Sequence, residues 1–106
     1  GDDESALALM RHGAKGNISV TANVAPKIMS QIFGLALKGE FEQAEALNQK
    51  IAHLHQDLFI ESSPIPAKYA LHKMGHIEQG IRLPLTWLTP EHQQVMDEAL
   101  AKAGLL

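Results

Sequence analysis

His72 and His76 stand four apart, the spacing that sets two metal ligands on one face of a helix. Gly75 between them marks a helix end, no Glu follows His72 directly, and no third ligand lies at a telling distance. Solvated or capping histidines are therefore the plainer reading, and no metal is expected. His53 and His55, two apart, point roughly 200° away from each other on a helix of ~3.6 residues per turn. The opening Gly1-Asp2-Asp3-Glu4 could gather carboxylates for acid–base work or for a divalent ion. The same acids also complement the positive end of a helix, which needs no chemistry at all. Ser62 and Ser63 lack the strand–turn–helix pattern that exposes a nucleophilic serine. A lysine that forms a Schiff base wants a desolvated position, whereas Lys15, Lys27, Lys38, Lys50 and Lys102 fall on turns or polar faces.

One further stretch, "NISVTAN", carries no reactive side chain yet has the make-up of a ligand-facing wall. Ile18 and Val20 are β-branched and follow Gly16, which predicts a strand over 17–21. Ser19, Thr21 and Ala22 are small enough to let a ligand approach the main chain at the strand end. An ordinary buried strand fits the same residues.

The elements around this stretch read as helices. Leu7, Leu9 and Met10 form the apolar face of a short first helix that Gly13 ends. Pro26 belongs in the first turn of a second helix, with Asn23 or Ala25 as its cap, closed by Gly39. Phe41, Ala44, Leu47, Ile51, Leu54 and Leu58 step by three or four and give the clearest helical pattern in the chain. "ESSPIP" is a loop, and Pro66 starts a short helix through Tyr69, Leu71 and Met74. His76 to Leu88 is irregular. Thr89-Pro90-Glu91 then opens a last helix with its apolar stripe at Val95, Met96, Ala99, Leu100 and Ala103. A single strand among five helices leaves its amides and carbonyls without partners, so its sheet must lie in another chain or in sequence beyond this one.

Composition narrows the classes. Hydrophobic residues make up 45%, enough for a core, and nine Lys+Arg against twelve Asp+Glu give a net charge of −3. No like-charge block supports nucleic-acid or polybasic membrane binding. The apolar runs fall well short of the ~20 residues that span a bilayer. With no cysteine there is neither disulfide nor thiolate zinc site. The expectation is a soluble, cytoplasmic protein. Its opening "GDDES", without an initiator methionine, is read as a cut and not as a natural start.

"GDDESALALMRHGAKGNISVTANVAP", "LHQDLFIESSPIPAKYAL", "IRLPLTWLT" and the terminal "AGLL" together resemble the 4-hydroxy-tetrahydrodipicolinate (dihydrodipicolinate) synthase family, in order from Gly1 to Leu106. Ser63 replaces the family's usual Asn before Pro-Ile-Pro, and Ala67 its usual Val. The resemblance implies the C-terminal part of a (β/α)8 barrel, its last strand and helices, followed by a helical extension. Residues 1–38 would be the final barrel units and 39–106 the extension, so this segment is mostly α. A barrel of this type needs ~250 residues, so the rest would precede Gly1. The family is a lyase, usually a homotetramer, that condenses pyruvate with aspartate-4-semialdehyde in lysine and diaminopimelate synthesis. It works through a Schiff base on a lysine from an earlier strand and requires no cofactor. By resemblance, Ile18 contacts pyruvate largely through its main chain, Gly1 lies beside the ligand, and Asp2 and Asp3 edge the second substrate's place. No catalytic residue is implied within this segment, which is expected to be inactive alone. Two alternatives stand beside it: a stand-alone helical interaction module, and a related pyruvate-dependent aldolase such as a sialic-acid lyase.

Overall fold

The computed structural model describes residues 2–106, so Gly1 lies outside the described residues. Six helices follow one another: α1 (Ala6–Arg11), α2 (Thr21–Val24), α3 (Pro26–Leu37), α4 (Phe41–Asp57), α5 (Ile65–Lys73) and α6 (Pro90–Lys102). The longest, α4, is the spine. It packs along α3 and also touches α1 and α6. The predicted stripe explains this placement, because Ala44, Ile51, Leu54 and Leu58 are all fully buried. They meet Met29, Ile32 and Ala36 of α3 and Met96, Ala99 and Leu100 of α6 in one core.

Helix ends follow the local chemistry of the sequence. At the end of α3, Gly39 adopts φ 80°, a region costly for residues with a Cβ. Its N–H donates to Ala36 O and that of Glu40 to Leu35 O, which closes the helix and turns the chain into α4. Gly104 ends α6 with the equivalent pair of bonds. The predicted start of α6 is also found, with Thr89 extended at φ −66°, ψ 152° and Pro90 next. Its cap differs in origin, however. The Thr89 hydroxyl and N–H both donate to Glu61 Oε2, at 3.0 and 3.1 Å, and His92 Nδ1–H donates to the same oxygen at 2.6 Å. A carboxylate from the loop between α4 and α5 therefore holds the N-terminus of α6. α5 begins at Ile65, with Pro66 in its first turn, one residue earlier than the prolines suggest.

The predicted strand over 17–21 is not formed, and no strand occurs among the described residues. Ala14 to Ser19 run as non-helical chain, Val20 bends, and Thr21 opens the four-residue α2 that the sequence reading missed. The reason is physical. A strand exists through its neighbours, and none lies alongside, while Val20 and Thr21 have their N–H groups taken by a side chain that favours a helix start.

Candidate functional site

That side chain is Asp3. It is buried, and its two oxygens collect four donors from the segment some fifteen residues on. Oδ2 accepts the N–H groups of Val20 and Thr21, both at 3.0 Å. Oδ1 accepts Asn17 Nδ2 at 3.1 Å and the Ser19 hydroxyl. Ser19 Oγ in turn accepts the N–H of Ala22 at 2.9 Å, the pattern of a helix N-cap. A carboxylate bonded to successive backbone N–H groups at a helix start is favoured both by direct hydrogen bonds and by the dipole of the peptide units. The acidic opening thus divides its work. Asp2 Oδ1 accepts the Ser5 N–H at 2.9 Å and its hydroxyl at 2.5 Å. These bonds hold the Asp2 carboxyl below its ordinary range and organise the approach to α1. Asp3 reaches across to α2 instead.

A second chain of bonds meets the first at Thr21, which is fully buried. Its Oγ1 lies 2.9 Å from His55 Nδ1, and His55 Nε2 lies 2.9 Å from Asn48 Oδ1. An amide oxygen only accepts, so Nε2 carries the proton and Nδ1 is the acceptor for the Thr21 hydroxyl. His55 is 4% exposed, and this desolvation pushes its pKa below the usual value, against the opposing pull of Asp3 and Glu4. The neutral ring is the form the bonding requires. Removing its acceptor would strand a buried hydroxyl at a cost of about 1–3 kcal/mol.

Between these anchors the chain is bare. Among the described residues, no backbone N–H from Lys15 to Ser19 donates to a partner. Ile18 is 98% exposed, far more than any other large apolar side chain near it. An open hollow of about 440 Å³ lies beside the network, lined by Asp2, Glu4, His55, Gln56 and Phe59. The sequence-predicted site residue Ile18 therefore sits in a held but uncovered run, whereas Gly1 lies outside the described residues.

The other candidates disperse. α5 ends at Lys73, and Gly75 turns the chain at φ 86°, so His72 and His76 share no helix face. His72 Nδ1–H donates to Ile77 O, and its ring meets Trp87 edge-on. His53 Nε2–H donates to Ala99 O on α6 at 2.8 Å, on the other side of α4 from the His55 contacts. Lys15, Lys27, Lys38, Lys50 and Lys102 are exposed. Among the described residues no cluster of three metal-ligating side chains forms, and no helix is long and apolar enough to cross a membrane.

His55 and Asn48 were missed as members of the site, and Thr21 was singled out for its small size and not for its hydroxyl. The signal for His55 was present, since it falls four after Ile51 and three before Leu58, on the buried stripe of α4.

A helical segment that displays a bare extended run, pinned from within by a buried carboxylate and a neutral histidine, is shaped to border something larger. The chain belongs to the dihydrodipicolinate synthetase family, whose model matches residues 1–103. It is 63% identical over all 106 residues to a 4-hydroxy-tetrahydrodipicolinate synthase of Psychrobacter arcticus, of which it spans 35%. It superposes with a TM-score of 0.96 on a crystal structure of the chloride-inhibited dihydrodipicolinate synthase from Acinetobacter baumannii complexed with pyruvate. That match has 55% identity and covers 100% of this chain and 36% of the other. A monomeric dihydrodipicolinate synthase variant matches as well, with 37% identity, a TM-score of 0.95, and coverage of 100% of this chain and 35% of the other. The chain thus corresponds to about a third of the relatives it matches, in their C-terminal part.

Proposed function

We propose that this chain is the C-terminal segment of a Schiff-base lyase that condenses pyruvate with aspartate-4-semialdehyde to 4-hydroxy-tetrahydrodipicolinate, a step of lysine and diaminopimelate synthesis in the cytoplasm. Residues 1–38 complete a (β/α)8 barrel and 39–106 form its helical extension. The bare run at Ile18 carries this reading. An extended stretch whose N–H groups find no acceptor among the described residues, held at one end by Asp3, is what the last barrel strand becomes when its neighbouring strands are taken away. In the barrel those neighbours flank it, and its end faces the pocket where the main chain of Ile18 borders pyruvate, with Gly1 beside the ligand. Asp3 is given a different role from the edge of the second substrate's place, because its four bonds commit it to shaping the wall.

The chemistry itself belongs to residues outside this segment. A lysine amine attacks the ketone of pyruvate and water leaves. The resulting iminium draws electrons from the methyl carbon, which loses a proton and then attacks the aldehyde. The exposed lysines here lack the desolvation that such an amine needs, so the segment alone is inactive. The homotetramer usual in the family is the expected assembly, although the monomeric relative shows that the fold does not demand one. The stand-alone interaction module fits less well, because it would have to satisfy the Lys15–Ser19 amides internally.

The test is a chimera in which this chain replaces the matching stretch of the Psychrobacter arcticus synthase. It should condense the two substrates, and borohydride with pyruvate should leave one mass adduct on a lysine outside residues 1–106. A soluble, folded chimera without activity, or an adduct on any lysine of this chain, would overturn the reading.

A further inference from the structure

The helical extension reaches the proposed pocket wall through one side chain. α4 belongs to the extension, yet His55 leaves its core-facing stripe to bond Thr21, the first residue of α2 and the end of the Ile18 run. Asp3 grips the same residue by its N–H. Thr21 is thus fixed from two sides, main chain from α1's leading segment and hydroxyl from α4, and both contacts are buried. Asn48, two turns earlier on α4, fixes the ring by accepting from Nε2. Among the described residues, no other side chain of α4 bonds to the segment between Lys15 and Val24.

We infer that His55 is a positioning residue for the pyruvate-binding wall: its unprotonated Nδ1 accepts from Thr21 and thereby sets where the Ile18 main chain meets a 2-oxo acid. This rests on the pocket reading given above. The ring does not touch the reacting atoms; it acts through Thr21. Protonation would place an N–H where the acceptor now is, so the Thr21 hydroxyl would have to turn and lose its buried acceptor. The groups whose charge or titration bears on the ring are Asp3 and Glu4 ahead of α1 and His53 on α4 itself, while α2 offers only Thr21. The two acids favour the charged ring and desolvation opposes it, with desolvation the larger effect. The contact therefore holds at neutral pH and opens as the medium becomes acidic.

The chimera provides the test, with two variants that differ in whether an acceptor remains for Thr21. His55→Asn places an amide oxygen where Nδ1 stands and keeps an acceptor for Thr21, but cannot be protonated. His55→Leu fills similar space without an acceptor. The expected result is a KM for pyruvate raised on the order of tenfold by His55→Leu, with kcat changed less, and restored to within about threefold by His55→Asn. Between pH 7 and 5 the KM of the unaltered chimera should climb more steeply than that of His55→Asn. A role confined to stability would lower the yield or kcat of both variants alike and leave KM in place, and that result would overturn the inference. Hydrogen exchange of the peptide covering 17–22 gives a readout independent of turnover, and so separates this inference from the pocket reading. His55→Leu should speed that exchange and His55→Asn should not. Equal exchange in all three proteins would overturn the positioning role even if the chimera proved inactive.

Discussion

Two regions of this chain use the same parts in opposite ways. At α2 and at α6 a carboxylate from a distant segment holds a helix N-terminus, and a histidine joins the group. Around Asp3 the histidine stands beyond the threonine and accepts a hydrogen bond from its hydroxyl. Around Glu61 the histidine donates straight to the carboxylate, 2.6 Å away. The first arrangement needs its imidazole neutral. The second tolerates a charged one, since His92⁺ and Glu61⁻ attract. What differs is burial: Thr21 and His55 are sealed in the core, while Thr89 is exposed and the His92 side chain is about a third exposed. A buried polar chain must be complete to be stable, whereas water repairs an exposed one.

The comparison predicts that Asp3→Ala does the most damage. It leaves the N–H groups of Val20 and Thr21 and the Ser19 hydroxyl without their acceptor, for an expected loss of about 3–4 kcal/mol, read from the denaturation midpoint of the chimera. Glu61→Gln should cost less, about 1–2 kcal/mol, because water reaches the Thr89 end. If Glu61→Gln proved the more harmful, burial would not be the governing difference.

Acid separates the regions along a different axis. His55 has its folded pKa depressed by desolvation, so the stability it supplies is full above the ordinary imidazole value and falls as pH drops below it toward the folded value. Glu61 is depressed by its bonds to His92 and Thr89, so its contribution persists until pH falls below the ordinary carboxylate value. Amide exchange at residues 20–22 should therefore rise at a higher pH than exchange at Thr89. Simultaneous loss would mean that the two caps open as one unit.

Smaller effects sharpen the picture. Tyr69 donates to Asp97 Oδ1 at 2.7 Å, and burial together with that carboxylate pushes its pKa up to about 12. Tyr69→Phe should cost about 1 kcal/mol, and ultraviolet titration should show this phenol still protonated at pH 10.5. Ile18→Ala should leave KM for pyruvate in the chimera nearly unchanged if the main chain makes the contact.

Much of the helical frame was legible because periodicity and punctuation agreed. The stripe from Phe41 to Leu58 gave α4, Pro26 and Gly39 bracketed α3, and Thr89-Pro90-Glu91 marked the start of α6. Ile18 and Val20 misled for an instructive reason. Their β-branched character suits a strand, but a ladder requires neighbours that no local pattern supplies. Ser19 was read as a small strand residue, although the spacing Ser19 to Ala22 also fits a helix cap. The site network was hidden more deeply, since Asp3, Thr21 and His55 come from three separate parts of the chain and only packing brings them together.

The packing of Trp87 has a practical use. It is the one tryptophan in the sequence, and its indole meets the rings of Tyr69 and His72 edge-on, with centroids at 6.0 and 5.7 Å. The molecule therefore carries its own fluorophore on the α5 side of the Glu61 region. A shift of its emission to longer wavelength would time the loosening of that half during denaturation, while isotope labelling followed the other, and any lag between the two signals would show the order in which they come apart.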